Sequence, residues 1–307
     1  MFTSLPKLID KQFIIGFILP LACFALGAAF VFQPQILPRL GKALLVEKDL
    51  GDVAVIAALL WLGAVALMML NRVLHRLLCG YYAAWLLAPF LCLEKRRRQR
   101  LDAAIKAALD ANGQLLPTAS KAEYNEHRHD FVRAFSNKPG DTLPTRLGNA
   151  VRAYERYANQ AYGVDGIMLW PRLAPVLSAE IRGQVSDGRA QLDCFTNLTL
   201  LSAALGLWAL IYWLAALALH PPQDASLGWT ALVALVLARL FYMWAIERAL
   251  TLGDAVRAAF DLGLPVLLGE LSYGAPSSRV AQTALLKEIN NTYFYFEPVK
   301  RPWKLKS

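Results

Sequence analysis

The sequence lacks the short motifs that mark most catalytic and nucleotide sites. It contains no P-loop, GxGxxG, GxSxG or protease signature. Its Ser, Thr, Asp and His residues follow no catalytic spacing, so no catalytic residue and no cofactor are assigned, and the chain reads as a non-enzyme. Cysteine is scarce. Cys23, Cys79, Cys92 and Cys194 form no CxxC pair and lie in or beside apolar runs, which favours buried, reduced thiols over a disulfide framework or a zinc site. The sequence also has no strand-rich core, internal repeat or low-complexity tract.

What it has in excess is apolar residues. They make up 56% of the 307 positions, with a mean hydropathy of +0.37, against roughly 45–50% in soluble domains. The excess is concentrated in four runs. Residues 13–32 (FIIGFILPLACFALGAAFVF), 53–70 and 195–219 carry no charge, and 228–246 carries only Arg239. A spanning helix needs about 20 apolar residues to cross roughly 30 Å of hydrocarbon. The expected fold is an all-α integral membrane protein with four transmembrane helices in two pairs, an in-plane helix and a helical cytoplasmic domain. The alternative for the first run is a cleaved signal peptide, with Lys7 and Lys11 ahead of it and Gly27-Ala28-Ala29 as the cleavage site. Its length and the spans that follow favour a retained helix.

The net charge of +9 gives direction. Basic residues cluster before the first span (Lys7, Lys11), after the second (95–100) and at the tail (Lys300, Arg301, Lys304, Lys306), whereas 220–227 has none. Lys and Arg favour the cytoplasmic side, so both termini are expected in the cytoplasm. Arg39, Lys42 and Lys48 in the first outer connection run against this pattern. The uncharged segment 77–93 is read as an in-plane or re-entrant helix, given Tyr81, Tyr82, Trp85 and Pro89. As a fifth span it would move the N-terminus outside.

The expected divisions are membrane 1–93, a cytoplasmic helical domain 94–193, membrane 194–247 and a cytoplasmic region 248–307. Helical patterning runs through RLDAAIKAALDAN, AEYNEHRHDFVRAF and TRLGNAVRAYERYANQAYG, then roughly 176–193 and 247–260, and SRVAQTALLKEIN. Three candidate sites stand out besides the spans. Glu123 to Asp130 (EYNEHRHD) has i,i+4 spacings that suit a metal, but it is not HExxH and no second ligand cluster accompanies it. A charge-paired solvated face is the preferred reading and no metal is assigned. Lys95, Arg96, Arg97, Arg98 and Arg100 follow an interfacial aromatic segment. That position favours contact with anionic lipid over nucleic acid, beside the topology-setting role such a cluster has by itself. In YGVDGIMLWPRLAP, Tyr162, Asp165, Trp170 and Arg172 make a candidate docking loop, with a linker buried between helices as the plainer reading.

This string, with LGNAVRAYERYA, LIDKQFIIGFILP and GDAVRAAFDL, resembles a group of uncharacterised bacterial inner-membrane proteins with paired spans around a helical cytoplasmic region. The resemblance implies architecture and a bacterial inner membrane. It implies no activity.

Arg239 lies eight residues before Glu247, about 12 Å into the hydrocarbon if the edge is at Glu247. If Tyr242 and Trp244 mark the interface, the depth falls to about 4.5–7.5 Å and the side chain snorkels. The antiparallel third span offers Asp193, Thr196, Asn197, Thr199 and Ser202 at its cytoplasmic end. A polar seam between the third and fourth spans, with Asp193 as the charge partner of Arg239, is the expectation. The leading functional expectation is a homo-oligomeric channel or membrane-perturbing component, since four spans with few polar residues line no wide pore alone. A scaffold or sensor binding a cytoplasmic protein partner comes second, and a transporter or membrane enzyme third.

Overall fold

The computed structural model describes residues 10–32, 50–82, 87–110, 112–219, 226–271, 273, 276 and 278–295. The expectations for 33–49, 220–225 and the basic tail lie outside the described residues, as does Lys7. Apart from isolated bridge residues, Leu109 with Leu115 and Tyr273, the ordered elements among the described residues are helices. They are α1 (Lys11–Phe13, Ile14–Ile18 and Leu19–Phe32), α2 (Leu50–Leu78), α3 (Ala88–Ala107), α4 (Lys121–Ala134), α5 (Arg146–Glu155), α6 (Tyr157–Tyr162), α7 (Gly166–Val176), α8 (Ala179–Leu219), α9 (Ser226–Glu270) and α10 (Arg279–Tyr295). Four of them contain stretches long and apolar enough to cross a membrane: Lys11–Ala28, Val53–Leu78, Ala179–Ala215 and Leu227–Glu270. The 41 residues of α8 and 45 of α9 exceed what one crossing requires, namely about 20.

The chain divides into two compact units, 1–77 with 189–248 and 78–188 with 249–307. In the first, α1 changes register. Its middle segment, Ile14–Ile18, has π geometry just ahead of Pro20. Proline has no N–H, so the carbonyl four residues earlier, that of Gly16, loses its helical donor. A π turn is one way a helix absorbs such a break. Phe13 and Phe17 pack with Ala64 and Leu67 of α2 into a small apolar core, flanked by Leu201 of α8. On its other side α8 meets α9 closely. A Cβ on Gly206 would lie 2.9 Å from Leu235 Cγ and 3.1 Å from its backbone nitrogen, so glycine sets that approach. Phe195 stacks with Phe241 and Trp244 at 6.5 and 5.6 Å between ring centroids.

The second unit has a larger core. Leu169, Leu173 and Leu177 meet Phe260, Leu264, Leu267, Leu268, Leu285 and Leu286, and each is at most 4% exposed. The unit begins at Leu78. The segment 77–93 is correspondingly not one helix. The helix α2 ends at Leu78, Gly80 adopts φ +79°, and α3 starts at Ala88 with Pro89 in its first turn. Proline is favoured there because its missing N–H would have no helical partner anyway.

Candidate functional site

The most concentrated polar chemistry of the first unit lies where α1, α2 and α8 meet. Asn197 is fully buried, and its Nδ2 donates to the Gly16 carbonyl at 2.9 Å. The side chain thus supplies the donor that Pro20 removes. One turn earlier on α8, Asp193 Oδ1 accepts from Asn71 Nδ2 of α2 at 3.0 Å. Gly16 lies beside Asp193, since a Cβ built there would stand in ordinary contact, 3.5 Å, with Asp193 Cβ. His75, one turn beyond Asn71, and the exposed Arg189 lie within electrostatic reach of Asp193. The Oδ1 atoms of Asn71 and Asn197 are buried and receive no hydrogen bond.

This geometry corrects the expected seam between α8 and α9. Asp193 and Asn197 are i,i+4 on the face of α8 turned to α1 and α2, so Asp193 pairs with Asn71 rather than Arg239. Thr196 Oγ1 donates to Leu192 and Asp193 carbonyls, and Thr199 Oγ1 to that of Phe195, all on their own helix. Ser202 is half-buried. The α8–α9 contact is aromatic around Phe195, and a polar bond runs from Arg248 Nη1 to Gln191 Oε1 at 3.1 Å. Arg239 is exposed and lies over the Tyr242 ring at 5.9 Å, with no ion pair to any described residue. Sequence reasoning missed Gly16, Asn71 and His75. The available signal was Pro20, because a proline inside a span requires a donor from elsewhere.

No family model, curated protein or solved structure matches this chain.

The other candidates fall in the second unit. Arg98 is not available to lipid. It is 8% exposed, donates to the Asn137 and Lys138 carbonyls at 3.0 and 3.1 Å and to Thr142 Oγ1 at 3.4 Å, and lies over Phe131 and Phe135. Burial pulls its pKa down, with Asp102 and Asp141 opposing. Arg97 is half-buried over Phe135 and pairs with Glu94 at 3.7 Å. The buried Glu94 also accepts from Asn149 Nδ2 at 3.0 Å. Lys95, Arg96 and Arg100 remain exposed. Helical periodicity explains the split, because 94 and 98 share the inward face of α3.

The expected docking loop is the helix α7. Asp165 caps it, accepting from the Ile167 and Met168 amides at 2.9 and 3.0 Å. Trp170 packs against Phe260, Arg172 lies 3.6 Å over the Tyr293 ring, and Tyr162 donates to Asp261 Oδ1 at 2.7 Å, as does Tyr157. The large apolar residues exposed here are Ile167, at 71%, and Met168. Burial, then the bond to Asp261, raises the Tyr157 hydroxyl to about 12, and the same causes raise Tyr162.

Glu123, Glu126, His129 and Asp130 are exposed on α4, and among the described residues no three His, Cys, Asp or Glu side chains gather as for a metal. Cys79 and Cys194 are buried, Cys23 and Cys92 are exposed, and none of the four is in a disulfide. Burial raises the Cys79 thiol to about 12. A small cavity of about 140 Å³, lined by Phe135, Tyr157, Gln160 and Arg257 among others, lies in this unit. Arg257 is already committed there to Asp254 and the Val132 carbonyl.

Proposed function

We propose that the chain is an oligomeric inner-membrane protein of the channel class, belonging with the bacterial membrane proteins its strings resemble. Both termini face the cytoplasm in this reading, as the basic clusters favour. The spans form two pairs, and the second unit is the cytoplasmic helical domain. The start of α3 lies at the headgroup level, supported by exposed Phe90 and Leu93 beside exposed Lys95, Arg96 and Arg100.

The observation that carries oligomeric conduction is the exposed flank of α9. Arg239 lies there among Leu232, Val236, Leu240 and Met243, all exposed, and no acidic side chain among the described residues pairs with it. A guanidinium facing lipid costs up to about 3 kcal/mol, and such groups generally face a bundle interior or a water-filled path. A second copy covering this flank removes the cost and sets Arg239 beside the conduction path. Ion flux from purified protein in liposomes, with imaging of the particle in lipid, tests this. Flux from a multimer that is lost in Arg239→Leu and partly kept in Arg239→Lys is the expected result. A monomer without flux, or an Arg239→Leu variant that assembles and conducts as the parent does, overturns it.

A second reading rests on Ile167 and Met168, exposed apolar side chains in the first turn of α7. They favour a scaffold or sensor that engages a cytoplasmic protein partner through the second unit. Recovery of a partner that Ile167→Glu abolishes, in the absence of flux, distinguishes it.

A further inference from the structure

The group at α1, α2 and α8 has more hydrogen-bond acceptors than donors. The orientation of its two carboxamides is dictated by their partners. Gly16 offers a carbonyl and Asp193 a carboxylate, both only acceptors, so each asparagine turns its Nδ2 toward them. Both Oδ1 atoms are then left buried and without a donor. Asn197 is fully buried, so solvent does not satisfy it. The bond from Asn71 engages one carboxylate oxygen of Asp193. Buried unpaired acceptors are rare and costly, and two of them on the side chains that bond Asp193 and Gly16 point to a ligand that brings positive charge or donors.

The ligand's class follows from the atoms. Every unsatisfied atom is an acceptor, which excludes an anion. Oxygen donors without a thiolate favour a hard cation. One carboxylate is too little charge for the dedicated calcium sites that gather several. Arg189 also faces Asp193, but it is exposed and its charge is screened, and the half-buried His75 lies within electrostatic reach of the same carboxylate. Carbonyls freed where a membrane helix departs from α geometry are a recurring setting for such ions, and α1 departs from it at Ile14–Ile18.

We infer that Asp193, Asn71 and Asn197, gathered at Gly16, form a binding site for a small monovalent cation of the sodium type. The site stands whether or not the chain conducts. Its test is thermal unfolding of the purified full chain in detergent, in sodium, potassium or choline chloride at equal ionic strength, with sodium binding followed by calorimetry. Sodium raises the Tm over choline in a saturable way. In Asn71→Leu and Asp193→Asn the half-maximal sodium concentration rises roughly tenfold or more, while Arg239→Leu retains the parent's response. An identical Tm in the three salts with no binding heat overturns the site, because a bound water would satisfy the same acceptors without cation dependence. A sodium response unchanged in Asn71→Leu overturns it as well, even if Asp193→Asn fails to fold. Loss of flux in Arg239→Leu with sodium binding intact separates this site from the channel reading.

Discussion

The bond from Asn197 to Gly16 yields a double-mutant cycle with a defined sign. Asn197→Ala removes the donor that replaces the missing Pro20 amide. It leaves a buried carbonyl unpaired, at about 1–3 kcal/mol. Interhelical bonds measured in membranes average nearer ~0.6 and reach ~1.7 kcal/mol. The single variant should therefore lose about 1–2 kcal/mol, including a small term for lost volume. Pro20→Ala gives residue 20 an N–H, which lies four residues from Gly16 and can donate to the same carbonyl. In that background Asn197→Ala costs only the volume term. The two substitutions should then couple by about 1 kcal/mol, with the double variant more stable than additivity gives. Reversible unfolding in mixed micelles, titrated with denaturing detergent, measures all four corners. Additivity within about 0.3–0.5 kcal/mol, the scatter for independent sites, would refute the account of why α1 needs α8.

Arg98→Ala should destabilise the second unit by about 2–4 kcal/mol, since it strands the Asn137 and Lys138 carbonyls and empties the space over Phe131. Arg96→Ala, on the exposed face, should change the Tm little, and comparable losses in both would contradict the burial of Arg98. Gly148→Ala should cost about 3 kcal/mol or more by thermal unfolding, because a Cβ there would collide with the Cys79 carbonyl oxygen. The Tyr157 hydroxyl is raised to about 12 in the folded chain, above the ordinary value of about 10. The protonated form is the one favoured by folding, so its contribution is complete below about pH 10 and is lost as pH rises toward 12. Unfolding across that range should show the decline in the parent and a shallower one in Tyr157→Phe, with equal slopes counting against the bond to Asp261.

The sequence made legible whatever depends on local pattern. The apolar runs at 13–32, 53–70, 195–219 and 228–246 lie in helices, and periodicity anticipated α4 and α10 within a few residues. Facing was harder, because the same composition serves either direction. In the run 95–100 all charges look alike, yet the 3.6-residue period turns Arg98 inward with Glu94 and leaves Arg96 outside. YGVDGIMLWPRLAP reads as a loop or linker in sequence, and Pro171 and Pro175 fall inside it. Asp165 at its cap and the apolar pocket around Leu169 and Leu173 outweigh those prolines and hold α7 as a helix.

The misplaced partner of Asp193 has the same origin. Antiparallel order along the chain favoured α9, but the helix face decides the neighbour. The i,i+4 pair of Asp193 and Asn197 points to α1 and α2, where Pro20 has opened a carbonyl and Asn71 brings an amide. Each polar residue there answers a defect on another helix. Pro20 creates the acceptor at Gly16, Asn197 answers it, and the unpaired oxygens of Asn197 and Asn71 remain for the cation. A polar residue in a span is thus best read against the backbone defects of every other span. By that rule Arg239, which is exposed over the Tyr242 ring and answers no defect and no acid among the described residues, is where the proposed contact between copies is to be tested first.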